Sequence, residues 1–186
     1  MALESVRNTL KSVLSEAGFN PAGRCYLNYR FALAMLAGIV VVWVMHSWVK
    51  PYPASVEYSW IQLLSLIIWQ PFIEEVLFRG IIQGQISKQD WGNRSLLSIS
   101  SANAITSVLF VIVHMINSTP AFALTVLVPS LVFGYFRDYC NSVYPSIIIH
   151  SSYNAMVFVG LILHGNMIKV TTWVSPSLNS FYLTVD

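Results

Sequence analysis

Residues 31–49, FALAMLAGIVVVWVMHSWV, run for 19 positions without a formal charge and are closed by Arg30 and Lys50. As a helix rising about 1.5 Å per residue, such a run comes close to the roughly 30 Å of a bilayer's hydrocarbon core. Four more apolar stretches follow, at 58–85, 96–116, 121–136 and 143–163. The composition agrees: of 186 residues, 55% are hydrophobic and only 10% charged, where a soluble domain carries about 25% charge. The sequence therefore predicts an all-α, polytopic membrane helix bundle with about five transmembrane spans. A net charge of +2, with dispersed basic residues, speaks against a nucleic-acid partner; the lipid bilayer is the partner that this composition implies.

Residues 1–30 lack the apolar core of a cleavable signal peptide. Instead Leu3, Val6, Leu10, Val13, Leu14 and Ala17 recur at helical spacing, with Glu4, Arg7, Lys11 and Glu16 elsewhere on the helix. This is an amphipathic helix that lies on the membrane surface or packs on the protein itself. The predicted organisation is an amphipathic segment at 1–30, a transmembrane domain at 31–164 and a polar tail at 165–186, with no internal repeat. With the N-terminus cytoplasmic, Arg7, Lys11, Arg24, Arg30, Lys88, Arg94 and Arg137 fall inside, and Lys50 and Lys169 outside. That is a positive-inside distribution. Cys25 and Cys140 have no CxxC spacing and fall on the reducing side, so they read as ordinary thiols.

The stretch IEEVLFRG at 73–80 buries three charges in an apolar helix. Glu75 and Arg79 are four apart with the acid first, the favourable order for an intrahelical pair. Glu74 lies about 100° round the helix and is left for another partner. Pro71 predicts a kink just before the glutamates. His114, one turn after Phe110, and His150, one turn before Asn154, are histidines within apolar spans. An ionisable group in a membrane marks function by default, because its cost must be offset; a structural polar knot is the bland alternative. A glutamate, two histidines and an asparagine can activate water and stabilise an oxyanion, and Glu74, His114 and His150 could alternatively hold zinc. His46 and His164, near span ends, read as interfacial rings. Ser151 and Ser152 diverge from His150 by about 100° per residue, and GxSxG, HExxH and GxGD are all missing.

EEVLFR at 74–79 fits EExxxR, FVIVH at 110–114 fits FxxxH, and HSSYN at 150–154 fits HxxxN. In this order the chain resembles the CPBP family of CAAX proteases and bacteriocin-processing enzymes, also called Abi, across residues 60–164. The resemblance implies an intramembrane endopeptidase acting on a membrane-associated protein or peptide. It implies Glu74 as general base, His114 as the residue that holds the water, and His150 and Asn154 as oxyanion stabilisers. Glu75, Arg79 and Phe110 would support the site. A metal-free mechanism is favoured over zinc. A small chain with few spans suggests a bacterial inner-membrane protein whose substrate is a matured or sorted peptide rather than a prenylated one. The competing readings are a non-catalytic immunity or partner-binding protein and, behind it, a proton-relaying transporter, for which no inverted repeat is visible.

Overall fold

The computed structural model describes residues 2–48, 55–163 and 167–171. Lys50, His164 and residues 172–186, which carry parts of the reading above, lie outside the described residues. Helix α1 (Ala2–Glu16) leads through a 3₁₀ turn (Gly23–Leu27) into α2 (Tyr29–Trp48) and strand β1 (Ser55–Ser59). The long helix α3 (Trp60–Ile86) follows. Then come strands β2 (Ser95–Leu96) and β3 (Ile99–Ser100), helices α4 (Ser101–Asn117), α5 (Pro120–Thr125), α6 (Leu127–Cys140) and α7 (Tyr144–Leu163), and strand β4 (Met167–Thr171). Among the described residues the fold is all-α apart from two minimal ladders, β1 parallel to β4 and β2 antiparallel to β3. Among the described residues, α3 and the α5–α6 unit Pro120–Cys140 are long and apolar enough to cross a membrane; Tyr29–Val41 and Ser101–Ile116 are shorter apolar helices.

Side-chain distribution is inverted relative to a water-soluble domain. Ile61, Leu64, Ile68, Ile73, Leu77 and Ile81 form an exposed apolar face on α3, and Ile105, Val108 and Ile112 another on α4. Glu75, Arg79, Gln83, Asn103, Thr106, Ser107, Ser130 and Ser146 are buried instead. Outward leucine and isoleucine cost nothing against lipid tails, while polar groups there must find partners inside the bundle. They do. Gln83 donates to Gly134 O at 2.9 Å and Asp138 Oδ1 at 2.7 Å, and Ser100 Oγ donates to Asp138 Oδ2 at 2.7 Å. Asn103 donates to Leu131 O at 3.0 Å. Gly134 makes this contact feasible, since a Cβ there would lie 1.9 Å from Asn103 Oδ1.

Helix α1 stops in a Schellman motif: Gly18 N donates to Ser15 O, Phe19 N to Leu14 O, and Gly18 takes φ +82°. Leu3, Val6, Leu10 and Val13 on α1 stay more than half exposed, so of the two readings of this helix, packing on the protein is not the one observed. Its C-terminal end is tied down by Lys88 Nζ, 2.8 Å from Glu16 Oε2, and by a hydrogen bond from Val143 N to Gly18 O at 2.8 Å.

Three expectations need correction. The third apolar stretch was expected to be helical from 96; in fact Leu96–Ile99 form a tight hairpin, with Leu97 and Ser98 at positive φ. Helix α4 starts only at Ser101, where Ser100 Oγ caps Asn103 N at 2.9 Å; apolar Leu96 and Leu97 had hidden the turn. The fourth stretch is broken at Val126 into α5 and α6. At Pro71, where a kink is expected, a π-helical segment at Ser65–Trp69 widens the helix just upstream, the proline sits in the first turn of the next α stretch, and α3 continues through it. Finally, Cys25 and Cys140 are not separate: the 3₁₀ turn and the end of α6 meet at one end of the bundle and bring their Cα atoms to 5.9 Å across 115 residues, within disulfide reach.

Candidate active site

The three motifs converge. Helix α3 brings Glu74, Glu75 and Arg79, α4 brings Phe110 and His114, and α7 brings His150 and Asn154. Arg79 Nε lies 3.4 Å from Glu75 Oε2, both side chains fully buried, so the intrahelical pair forms as its spacing predicts. Arg79 Nη2 also donates to Ser130 O at 3.0 Å and Ser130 Oγ at 2.7 Å. Its guanidinium sits over the rings of Phe110 (4.9 Å) and Phe133 (5.7 Å), an arrangement that helps hold a cation away from water.

Glu75 has a second task that intrahelical spacing does not reveal. Its Oε1 accepts from His150 Nδ1 at 2.9 Å. A carboxylate acceptor fixes the hydrogen on Nδ1, leaving Nε2 as the free nitrogen of the neutral ring. That nitrogen faces Glu74 Oε2 at 3.8 Å, beyond hydrogen-bond length. Glu74 is 30% exposed at its side chain while His150 is 9% exposed, so Glu74 forms the open edge of the cluster. Phe133 stacks on the His150 ring at 4.7 Å and 16°, which fixes the imidazole plane.

His114 is treated alike by its surroundings. Its Nδ1 lies 2.9 Å from Phe110 O, a carbonyl that can only accept, so Nδ1 carries the hydrogen here too. Phe110, 2% exposed, is the hub beneath the cluster, packing at 4.3 Å on His114 and 6.0 Å on His150.

Asn154 donates to Leu66 O at 2.9 Å, and the local backbone explains why. In the π-helical turn, Gln70 N bonds Ser65 O, and Pro71 has no N–H to offer. Leu66 O thus loses both intrahelical donors, and Asn154 supplies one from α7. Its second amide hydrogen and its Oδ1 remain for other partners.

A zinc site needs three or more converging ligands. Among the described residues no three His, Cys, Asp or Glu side chains cluster that way, and no step below is routed through a metal. Sequence reasoning missed Ser130 and Arg137, both buried. Arg137, counted as a charge at the cytoplasmic end, donates from Nε to Arg79 O at 3.1 Å; its position in an apolar helix, one residue before Asp138, was the available signal.

A family model described as type II CAAX prenyl endopeptidase Rce1-like matches residues 56–156, more than half of the chain and all three motifs. The chain belongs to this family. No curated protein and no solved structure matches it significantly. Membership in the type II CAAX endopeptidases makes the chain a peptide hydrolase and a membrane protein, in accord with its inverted side-chain distribution and apolar helices.

Proposed function

We propose that the protein hydrolyses a peptide bond in a membrane-associated protein or peptide, with Glu74 activating the water. The observation that carries this reading is the two-sided seat of His150, 2.9 Å from Glu75 and 3.8 Å from Glu74. Glu74 takes a proton from water as the hydroxyl oxygen bonds to the scissile carbonyl carbon. His114, with Nδ1–H held by Phe110 O, offers Nε2 to orient that water. His150, protonated on Nε2 from solvent before the substrate binds and backed by Glu75 at Nδ1, and the spare Asn154 N–H stabilise the oxyanion, and His150 keeps its proton through the step. Glu74 then returns its proton to the leaving nitrogen as the C–N bond breaks.

The membrane reading extends to five spans in a bacterial inner membrane, with the N-terminus cytoplasmic and the exposed leucine face of α1 resting on the inner leaflet. The family description names prenylated CAAX proteins as the substrate class of its members, so the first probe is an internally quenched peptide with S-farnesyl cysteine four residues from its end. An N-acylated peptide without the prenyl group is the second. In proteoliposomes, wild-type protein is expected to cleave at least one of them, and Glu74→Gln and His114→Ala to abolish that cleavage while still inserting. Full cleavage by Glu74→Gln, or cleavage of neither probe by folded wild type, overturns the reading. The first result would favour a partner-binding protein, for which an isosteric amide is enough.

A further inference from the structure

We infer that Arg137, a residue outside all three motifs, is a positioning residue for the hydrolysis, joining the seat of α1 to the Glu75–His150–Glu74 line. The inference rests on the site reading given above. Arg137 lies in α6, 7% exposed. Its Nε donates to the backbone oxygen of Arg79 at 3.1 Å, and its Nη1 to Asn141 Oδ1 at 3.3 Å. Arg79 in turn holds Glu75, Glu75 holds His150 Nδ1, and His150 presents Nε2 to Glu74. A main-chain anchor at Arg79 therefore fixes the rotation of α3 at the point from which its side chain reaches Glu75. The anchored segment, Val76–Gln83, is π-helical, a rare geometry found mostly as short bulges at functional sites.

The other side of Arg137 meets α1. A Cβ built on Gly18 would fall 2.7 Å from Arg137 Nε and 2.8 Å from its Cζ, so the Schellman glycine rests against the guanidinium. Gly80 and Gly84 complete the contact: a Cβ at Gly80 would lie 2.8 Å from Ala17 O, and one at Gly84 3.4 Å from Glu16 O and 3.6 Å from Arg137 Nη2. The last carbonyls of α1 thus lie on the small-residue face of α3, the negative end of a helix beside a buried cation. A shift of α1 at the membrane surface acts on Arg137 before it acts on any motif residue.

The test compares Arg137→Met with Arg137→Gln in proteoliposomes, using the S-farnesyl peptide or, if only that is cleaved, the N-acylated one. Glutamine carries Nε2 on the same carbon that bears Nε in arginine, so it keeps the bond to Arg79 O and loses the charge; methionine keeps the shape and loses both. The methionine variant is expected to lose kcat by about 10- to 100-fold, the usual scale for a supporting partner, with KM unchanged, and the glutamine variant to restore it to within about threefold of wild type. Equal losses in the two, or wild-type kcat in Arg137→Met, overturn the inference. If the methionine variant does not insert, Gly18→Ala poses the question from the α1 side: a kcat loss at constant KM is expected, and wild-type kcat overturns the inference. Glu74→Ala measured in parallel separates this from the site reading, because cleavage surviving that substitution refutes the role of Glu74 whatever Arg137 does.

Discussion

Substitution of the buried Glu75–Arg79 pair gives the most quantitative check on the site. At 3.4 Å and an effective dielectric of about 20, the two charges attract by about 5 kcal/mol before desolvation is charged against them. Neither side chain has any exposure, so removing one leaves the other as an uncompensated buried ion. Glu75→Gln and Arg79→Met should each cost about 3–5 kcal/mol, and the double variant clearly less than their sum, since it buries no lone charge. Arg79→Met also strands Ser130 Oγ and O, which keeps the double variant below wild type. Reversible unfolding in mixed micelles, read by circular dichroism, would give the coupling energy. Activity should follow a different rule: Glu75→Gln and the double variant both lose the negative partner behind His150 Nδ1, so the double variant regains stability without regaining kcat. Additivity within about 0.5 kcal/mol would mean that the two groups do not interact, and full activity in Glu75→Gln would mean that Glu75 does not orient His150.

Three further outcomes can be checked. Gly134→Ala forces a methyl into Asn103 Oδ1 and Gln83 Oε1 and should destabilise by about 1–3 kcal/mol or more, visible as a lower Tm and faster amide exchange in α4 and α6. Lys88 holds the Glu16 carboxyl below its usual 4.5, by hydrogen bond first and by charge second. Because the folded-state value is depressed, the tie of α1 contributes fully above about pH 4.5 and is lost as pH falls through the lowered value; a Tm difference between wild type and Glu16→Gln should be present at neutral pH, small, and gone in strong acid. Prolonged dialysis against a strong chelator should leave peptide cleavage intact, and loss of cleavage restored by zinc alone would refute the metal-free mechanism.

The motifs were legible because polar residues are rare in this chain, so EEVLFR, FVIVH and HSSYN stand out against apolar surroundings. Helical spacing gave the Glu75–Arg79 pair correctly and set Glu74 apart. It could not give the rotation of α7 against α3, and so the bond from His150 to Glu75 was invisible. Leu96 and Leu97 looked like helix because hydrophobicity alone does not distinguish a span from an apolar hairpin tip. Arg137 looked like a loop charge because topology counting places a residue at an end of the bundle without saying whether its side chain faces water. The cysteine pairing depended on two chain segments meeting across 115 residues, which no local pattern encodes.

The wide turn at Ser65–Trp69 has a consequence for chain length. It accommodates one residue more than a regular helix would between Trp60 and the glutamates. Deleting Trp69 would let α3 become regular and would bring Ile68 and Ile73 to the four-residue step of one helix face. The outward row of Ile61, Leu64 and Ile68 would still line up with Ile73, Leu77 and Ile81 along one lipid-facing side. Related chains are therefore expected to differ by one residue in this segment with that side of the helix unchanged.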